Sequence, residues 1–549
     1  MRKTYLVLLF VLVAFHSSFA QQLDSTITND VFWYTTKGNP IYSQGGGIFR
    51  LPDPATGEEH YYWYGVHYQG AEEYLKSPLK KSSNTGFVSV TCYKSDDLVH
   101  WTFVSDVLTS ASFNGYGWPW WLGRLGVAYV PEAKKYALFV QYNSSVLVAL
   151  CSTPTGSFVY HDAIDMTSRI GTSNTGDQTV FTDDNGKSYL VYSYGSGRSR
   201  IYLSEIGVKD NKVTLLDCIQ IYKGSGREGN CMFKYKGKYY VCASDLYGWN
   251  SSNVYFLESN SIYGPYTPAN SMKVMAGSGM DYGHVTQTGF FYTVKGTKEE
   301  TVIYCGDRWA DFAGNGNGYN QWCPLSFVHG EPYFNSLSQW VLNEETGEWK
   351  VGSNNNYALN GSFEADRVNI PSGKKPVQDF LRGWTTRVVK GNSVAVGSVD
   401  SPVLNASNSS TDRAVVIGNH CLNITDKVDF KRTVYQQVTS SPNVPLPDGK
   451  YTLSAMFKSG SFFDQLYVYA VSDNTKQKVD VPFSDGEWHR VTLKDVVVKG
   501  GAAEIGFEAE AVANSWCRID DVHFVRTGDL DDPTDLKKLT LLTDVGAQK

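Results

Sequence analysis

The sequence has few of the features that mark membrane, metal-binding or nucleic-acid-binding proteins. Its 9 cysteines are spread over 549 residues without the spacing of a metal site. An apolar run at residues 5–15 is shorter than the ~20 residues that a membrane-spanning helix needs. Charged residues make up only 19%, and a net charge of -6 gives no electrostatic reason to expect nucleic acid or an anionic membrane as partner. We therefore expect a neutral partner.

The N-terminus has the layout of a secretory signal peptide. Arg2 and Lys3 precede the apolar run, and the small residues that follow it predict cleavage after Ala20. No cysteine closely follows the run, so a lipid anchor is not indicated. We expect residues 1–20 to be the signal peptide and the mature protein to be secreted or periplasmic.

Aromatic residues, at 14% of the chain, indicate β-structure, and the length indicates two or three domains. A pattern of strand, polar turn and aromatic strand recurs five times, with first strands near residues 48–51, 126–130, 179–181, 232–235 and 288–292. Asn185-Gly186 is the strongest turn signal among these hairpins. Units of roughly 60 residues predict an all-β fold, a five-bladed β-propeller over residues 21–355. A tandem of β-sandwiches is the alternative, but no unit has enough strands for its own closed core.

The pattern changes near Leu359 to longer alternating strands. Residues 356–527 are predicted to form a β-sandwich with jelly-roll topology, and residues 528–549 a C-terminal tail. The odd number of cysteines excludes a fully paired framework, although Cys421 and Cys517 could pair in an oxidising compartment.

Residues just before the innermost strands of a propeller converge on its central depression. Asp177 and Glu228 occur there, at equivalent places in neighbouring units. Glycoside hydrolysis needs a carboxylic acid that protonates the leaving oxygen, and a nearby carboxylate raises the pKa of that acid. We therefore predict Glu228 as the acid and Asp177 as the group that tunes it. The alternatives are a surface Glu in a glycine-rich loop and a turn or capping Asp.

Three segments resemble glycoside hydrolase family 43. They are Gly-Arg-Glu-Gly at residues 226–229, the run at residues 176–190 and the run at residues 93–101. The resemblance implies a five-bladed propeller and inverting hydrolysis of arabinosides, xylosides or galactosides. It also implies that Glu228 is the acid and Asp177 the pKa-modulating residue.

Residues 44–48, 61–65 and 306–309 are similar to the exo-β-1,3-galactanase branch of that family. In that branch the usual catalytic-base Asp is absent, here at Gly45, and the resemblance implies that Gln287 holds the water. The chain departs from the branch at Gly123 and Val66, where a Glu is expected. Because an amide is a poor proton acceptor, the base stays open among three carboxylates: Asp245, Asp281 and Asp307.

Position and residue type suggest further groups for substrate binding: Gln44, Trp121, Arg124, Trp249, His284 and Arg308. Tryptophans in glycine-rich or polar loops can stack on sugar faces, whereas Trp63, in mid-strand, is expected in the core. The two arginines could instead pair with Asp177 or Asp307, and His284 could be an ordinary inner-strand histidine.

The C-terminal region resembles the galactose-binding-like carbohydrate-binding modules, through residues 360–364 and 519–522. The resemblance implies a structural calcium held by Glu364 and Asp521. Both could equally be surface carboxylates. No cofactor is expected for catalysis.

These observations together predict a secreted exo-glycosidase that releases terminal galactose or a related sugar from a polysaccharide. One alternative is a β-D-galactofuranosidase or α-L-arabinofuranosidase of the same family. The other is a propeller that binds glycans without catalysis. The absence of the expected carboxylates at Gly45 and Gly123 favours it.

Overall fold

The computed structural model of the protein describes residues 25–76, 86–113, 122–142, 145–247, 252–309, 317–365, 381–392, 402–404, 420–441, 443–483 and 486–530. Antiparallel strands dominate these residues, and the longest helix among them has 8 residues. No helix in this described part is long and apolar enough to cross a membrane.

The first strand, β1 (Thr26–Thr28), precedes two four-stranded sheets. Blade one contains β2 (Gln44–Pro52), β3 (Glu59–Tyr68), β4 (Phe87–Ser95) and β5 (Thr102–Leu108). Helix α1 (Gln69–Lys76) follows β3, and a 3-10 turn (Ser110–Phe113) follows β5. Blade two contains β6 (Leu125–Val130), β7 (Lys135–Tyr142), β8 (Ser145–Cys151) and β9 (Val159–Ile164).

Blade three follows the short helix α2 (Thr167–Ile170) and has five strands. They are β10 (Thr175–Thr182), β11 (Ser188–Tyr194), β12 (Arg200–Lys209), β13 (Lys212–Leu215) and β14 (Ile219–Lys223). The turn between β10 and β11 contains the predicted Asn-Gly pair, and Gly186 there has φ 80°. Because glycine adopts this left-handed conformation without steric cost, the chain reverses at that point.

Blades four and five complete the set. Blade four contains β15 (Glu228–Tyr235), β16 (Lys238–Ser244), β17 (Tyr255–Ser259) and β18 (Lys273–Val274). Helix α3 (Tyr282–Val285) then leads into blade five, which contains β19 (Gln287–Lys295), β20 (Glu300–Trp309), β21 (Asn317–Val328) and β22 (Glu331–Phe334).

The first strands of the five blades contact one another in a closed ring, in the order β2, β6, β10, β15, β19 and back to β2. This ring confirms the predicted propeller and each of its hairpins. A small sheet joins the two ends of the propeller: β1 pairs with β23 (Gln339–Leu342), which pairs with β24 (Trp349–Val351).

Aromatic side chains fill the spaces between blades. The ring of Trp63 lies 4.9 Å from that of Trp322 and 5.3 Å from that of Trp101. Trp33 packs edge-on against Trp322 at 4.8 Å. Trp63 is 3% exposed, which confirms that it belongs to the core. Such pairs add attraction beyond the apolar area that they bury, so they hold the first and last blades together.

The C-terminal region is a sandwich of two five-stranded antiparallel sheets. One sheet has the order β25 (Thr385–Lys390), β28 (Phe430–Thr439), β33 (Ala502–Ala511), β30 (Gln465–Ser472), β31 (Thr475–Asp480). The other has the order β26 (Pro402–Leu404), β27 (His420–Thr425), β34 (Trp516–Gly528), β29 (Gly449–Ser459), β32 (His489–Val498). Alternating side chains of both sheets form its own core. The predicted sandwich is thus confirmed.

Asn355 and Asn356 lie where the propeller meets the sandwich, and the backbone N–H of Asn356 still donates to Oγ of Ser338 in the propeller, at 2.6 Å. The side chain of Asn355 accepts from the backbone N–H of Ser338, at 3.0 Å, whereas Asn356 donates to the carbonyl of Val522, at 2.9 Å. The predicted division between residues 355 and 356 stays a prediction, and these contacts support it.

Cysteines in the described residues are free thiols, and most are buried within strands. Cys421 and Cys517, which could have paired, are both buried and unbonded. The sandwich is therefore held by its apolar core and hydrogen bonds.

Candidate active site

The two predicted catalytic carboxylates lie at the start of adjacent inner strands, both of which are bulged. Glu228 begins β15 and pairs with Ser244, and the register shifts immediately after it. Asp177 lies inside the bulge of β10, between residues paired with Tyr194 and Tyr192. The two positions are therefore not equivalent, contrary to the expectation from sequence. A bulge redirects side chains, and here the bulges bring both carboxylates to one cluster.

Arg124, just before β6, is the centre of this cluster. Its Nη1 donates to Oδ2 of Asp307 at 2.7 Å, and its Nη2 donates to Oε1 of Gln287 at 2.7 Å. Its Nε lies 3.3 Å from Oδ2 of Asp177. The Arg124 side chain is only 4% exposed. One buried guanidinium therefore ties blade two to blades three and five.

A second guanidinium bridges the carboxylates themselves. Nη1 of Arg198 lies 3.1 Å from Oδ1 of Asp177 and 2.8 Å from Oε2 of Glu228. The backbone N–H of Tyr247 donates to the other oxygen of Glu228, at 3.1 Å. Glu228 is thereby held in one orientation beside Asp177.

The pKa of Glu228 is raised to about 8. Burial is the largest cause, because it disfavours the charged form, and the negative charge of Asp177 adds to it. Arg198, Arg124 and a hydrogen bond from Gln287 act in the opposite direction. At neutral pH Glu228 is therefore protonated, which a proton donor requires.

Asp177 titrates in the opposite sense. Burial raises the pKa of Asp177, but Arg198, Arg124 and the backbone N–H of Gly229 together lower it below its ordinary value. Asp177 is therefore ionised at neutral pH. Two buried carboxyl groups with pKa values pushed apart are typical of an acid and a charged neighbour at an active site.

Gln287, the first residue of β19, also joins the cluster. Its carbonyl oxygen accepts from Arg124, and its side chain hydrogen-bonds Glu228. These two contacts fix which end of the amide faces which neighbour. The resemblance implied that Gln287 holds the water; the structure brings its side chain to Glu228, and the role stays a prediction.

Asp307, on β20, belongs to the same cluster. Its Oδ1 accepts from the backbone N–H of Gly45 at 3.0 Å, and its other oxygen accepts from Arg124. Burial raises the pKa of Asp307, while Arg124 and the Gly45 N–H oppose the shift. Gly45 has φ 66°, a conformation that side chains disfavour. The backbone at Gly45, where a base was expected, is thus hydrogen-bonded to Asp307.

The other two base candidates lie elsewhere. Asp245 pairs with Arg227 at 2.8 Å and accepts from the hydroxyl of Tyr255 at 2.8 Å. Asp281 is fully buried where the propeller meets the sandwich, and it accepts from the backbone N–H of Asn360. Neither carboxylate has a contact with Glu228 among the described residues, whereas Asp307 is linked to it through Arg124 and Gln287.

Two predicted substrate-binding residues, Arg308 and Gln44, are buried. Arg308 is 1% exposed and pairs with Asp30, so it faces away from Asp307, its neighbour on β20. Gln44 is 2% exposed and lies opposite Val66 at the start of β2. Arg124 pairs with Asp177 and Asp307, which was the alternative role predicted for it.

The tryptophan predictions and one histidine prediction lie outside the described residues. Trp121 and Trp249 fall in segments that the structure does not describe. The backbone of His284 lies in α3, directly before Gln287, but its side chain is outside the described part. These substrate-binding assignments stay predictions.

Sequence reasoning missed Arg198, the residue that contacts both carboxylates. It lies between β11 and β12 and has φ 50°. Only its position in the hairpin could have indicated this role. Strand β11 ends at Tyr194, which pairs with the start of β10. The loop that follows β11 therefore lies at the same end of the blade as Asp177. The loop sequence Gly-Ser-Gly-Arg carries no motif that points to this role.

The predicted calcium ligands of the sandwich are separated. Asp521 has φ 51° and its carboxylate contacts Arg490 and, at 2.6 Å, His523. Asp520, by contrast, is 3% exposed, and burial followed by the charges of Glu364 and Asp521 raises its pKa well above the ordinary value. No group of three or more His, Cys, Asp or Glu side chains suited to a metal occurs in the part described, and calcium stays a prediction.

Comparisons with known proteins agree with this fold. A crystal structure of exo-β-1,3-galactanase from Phanerochaete chrysosporium with β-1,3-galactotriose is 20% identical, with a TM-score of 0.50 over 91% of this chain and 100% of that chain. An exo-β-1,3-galactanase from Clostridium thermocellum is 17% identical, with a TM-score of 0.50 over 92% of this chain and 100% of that one. No curated protein matches the sequence. At these identities the likeness shows the fold.

A family profile matches part of the sequence. Residues 79–320 match the profile of glycosyl hydrolases family 43. The match extends from blade one into blade five, and it includes Asp177, Glu228, Gln287 and Asp307. Over these residues the chain is similar to glycosyl hydrolases family 43, and it is a glycoside hydrolase.

Proposed function

We propose that this protein is an exo-acting, inverting glycosidase that releases terminal galactose or a related sugar from a polysaccharide. The observation that carries the proposal is the pair of opposed titrations: the pKa of Glu228 is raised to about 8 and that of Asp177 is lowered. A protonated carboxyl beside an ionised one is what protonation of a glycosidic oxygen requires.

In the proposed reaction, Glu228 gives its proton to the bridging oxygen as the bond from that oxygen to the anomeric carbon breaks. A water molecule adds to the anomeric carbon from the opposite face and loses one proton. Asp177 stays ionised throughout and keeps the pKa of Glu228 high. Arg124 and the Gly229 N–H stabilise that charge, so Asp177 does not compete for the proton.

Gln287 orients the water and Asp307 accepts its proton in this proposal. The Gln287 carbonyl accepts a hydrogen bond from Arg124, and its side chain also hydrogen-bonds Glu228, so the amide is held beside the proposed acid. Asp307 is the one carboxylate of the three base candidates that shares a partner, Arg124, with Gln287. An amide is too weak a base to take the proton itself.

The substrate is inferred from the family and from similar proteins. Two solved structures with this fold are named exo-β-1,3-galactanases, and one holds β-1,3-galactotriose. Terminal galactose is therefore the first substrate to test. A galactofuranoside or an α-L-arabinofuranoside is the alternative within the same chemistry.

A panel of chromogenic monosaccharide glycosides and polysaccharides tests the substrate, with identification of the released sugar. Release of galactose supports the proposal, whereas release from furanosides alone replaces it with the alternative. The anomeric configuration of the first product, followed by NMR, tests inversion. A first product with retained configuration would contradict the proposed single displacement.

A glycan-binding propeller without catalysis is the second candidate, because Gly45 and Gly123 leave two expected carboxylates missing. Glu228→Gln separates the two candidates. An enzyme loses turnover and keeps binding, whereas a binding protein shows no turnover before or after the change. Secretion or periplasmic location is part of the proposal and is tested by sequencing the N-terminus of the mature protein, expected at Gln21.

A further inference from the structure

The loop between β11 and β12 brings positive charge to the mouth of the candidate active site. It contains Arg198 and leads directly into Arg200, the first residue of β12. Arg198 contacts Glu228 and Asp177, as described above. Arg200 lies over the ring of Tyr194, with 5.0 Å between its guanidinium carbon and the ring centroid. Within the described residues Arg200 has no carboxylate partner.

The position of Arg198 is built into the fold. Its backbone carbonyl accepts from the N–H of Arg227, at 2.8 Å, so the loop is fixed to the residue before Glu228. A Cβ atom at Gly176 would lie 3.1 Å from Cγ of Arg198. The absence of a side chain at Gly176 therefore makes room for the Arg198 stem beside Asp177.

Arg198 is also the most accessible charged group of the cluster. Its side chain is 26% exposed, against 4% for Arg124, 11% for Asp177, 7% for Glu228 and 5% for Asp307. Only its Nη1 is engaged with carboxylates, and no hydrogen bond of Nε or Nη2 occurs within the described residues. Two donors of a permanent cation thus remain for a ligand.

The charges of the cluster do not oppose an anion. Arg124 and Arg198 are two permanent cations, and they face Asp177, Asp307 and a protonated Glu228. With Glu228 protonated, the cluster has no excess negative charge, and Arg200 adds a further cation at its edge. A guanidinium with two free N–H groups matches the two oxygens of a carboxylate or of a sulfate ester.

We propose that Arg198, supported by Arg200, selects glycans in which the sugar that leaves carries an anionic group, a carboxylate or a sulfate ester. This inference rests on the proposed function, since Glu228 protonates the oxygen of that leaving sugar. Arg198 touches Glu228 directly, so a substituent of the leaving sugar falls within its reach. The net negative charge of the whole chain does not act against this, because exposed charges beyond about 10 Å are screened in salt.

The test compares disaccharides of one linkage whose leaving sugar is neutral, carboxylated or sulfated. We expect kcat/KM to be about ten-fold higher for at least one anionic disaccharide, as one charge-assisted contact provides. The two anionic disaccharides distinguish a uronic acid from a sulfated sugar. The preference should shrink as salt is raised. Equal or faster hydrolysis of the neutral disaccharide overturns the inference and leaves the proposed function intact.

Three variants locate the effect. Arg198→Met should reduce the ratio of anionic to neutral kcat/KM to about one, and Arg198→Lys should keep part of it. Arg200→Met should reduce the ratio by a smaller factor. Arg387→Met is the matched control, because Arg387 lies over Tyr435 at 4.7 Å, in the sandwich rather than in the cluster, and should leave the ratio unchanged. An unchanged ratio in Arg198→Met would refute the role of Arg198.

If no disaccharide is cleaved, that result counts against the proposed function. A binding measurement then still tests the inference about Arg198. Glu228→Gln protein is passed through gels that contain a sulfated galactan, a uronic-acid-bearing galactan, or their desulfated and carboxyl-reduced forms. Stronger retention of Glu228→Gln by an anionic gel than by its neutral form supports the inference if the double variant Glu228→Gln/Arg198→Met shows no such difference. Equal retention by the charged and neutral gels overturns it.

Discussion

The backbone N–H of Gly229 donates to Oδ2 of Asp177 over 2.8 Å. Gly229 has φ 62°, and a Cβ atom there would lie 2.3 Å from the carbonyl oxygen of Thr288. Glycine is therefore required at the residue after Glu228, both for its conformation and for the close approach of β19. The contact fixes the ionised Asp177 against the strand that carries the proton donor.

Glu228→Gln should lower kcat by about two to four orders of magnitude, because general acid catalysis typically contributes that much. The amide keeps the shape of the side chain, so binding of the glycan should change little. Steady-state kinetics and calorimetric binding measure the two effects. Glu331→Gln, at an exposed residue paired with Lys273, is the control and should keep full activity. Equal activity of Glu228→Gln and the wild type would contradict the assignment of the acid.

The pH dependence of kcat/KM should fall on the alkaline side near pH 8, where Glu228 loses its proton. Asp177 raises the pKa of Glu228 and Arg198 lowers it. Asp177→Asn should therefore move the alkaline limb to lower pH, and Arg198→Met should move it to higher pH. Lys238→Met, far from the cluster, should leave the limb in place. If Asp177→Asn and Arg198→Met shift the alkaline limb in the same direction, the limb does not arise from the titration of Glu228.

Arg124→Met should destabilise the fold by roughly 3–5 kcal/mol, because it leaves Asp177 and Asp307 buried without their shared cation. Adding Asp307→Asn should recover part of this loss, because one uncompensated charge is then removed. Denaturant unfolding measures both variants. Arg50→Met is the control: Arg50 pairs with Glu59 at the surface, and its loss should cost no more than ~1 kcal/mol. A similar cost for Arg50 and Arg124 would refute the central role of Arg124.

Asp281 should make the stability of the protein depend on pH. Its pKa is raised to about 7, chiefly by burial, with a further contribution from Asp30. The folded protein thus binds this proton more tightly than the unfolded chain. The stabilisation is complete below the ordinary pKa of 3.8 and is lost as the pH rises to about 7, by an amount on the order of 4 kcal/mol.

Asp281→Asn removes this titration, and its side-chain oxygen can still accept from the backbone N–H of Asn360. The variant should therefore have a higher Tm than the wild type at pH 8, with a smaller difference at pH 5. Asp473→Asn, at an exposed turn, is the matched control and should change Tm little at either pH. A lower Tm of Asp281→Asn at pH 8 would contradict a buried, destabilising charge.

Local patterns were sufficient to predict the propeller and to place Glu228 at the start of an inner strand. Alternation in strands such as β16, and turn residues such as Gly186, depend on neighbours a few positions apart. The same holds for Glu228, because the residue before an inner strand lies in the central depression whatever the distant sequence is. The sandwich was also predictable, since its strands alternate over their whole length.

The pairing of carboxylates with cations was not predictable in the same way. Arg124 and Asp307 are 183 positions apart, and only closure of the ring brings their side chains together. Alternation also failed near Asp521, because this left-handed residue lies where the register of β34 shifts, and Asp520 and Asp521 are both buried there. Backbone irregularities of this kind have no reliable signature in a single sequence.

The amino-acid sequence by itself determined the strands, their turns and the two kinds of β-fold, because each depends on short-range patterns. Only the tertiary structure decided which side chains surround Glu228. Arg198 and Arg124 reach Asp177 from different blades, and the resulting charges, with burial, set the pKa values on which the proposed reaction depends. Burial and long-range pairing arise only when the ring closes, so they cannot be deduced from any one segment of the chain.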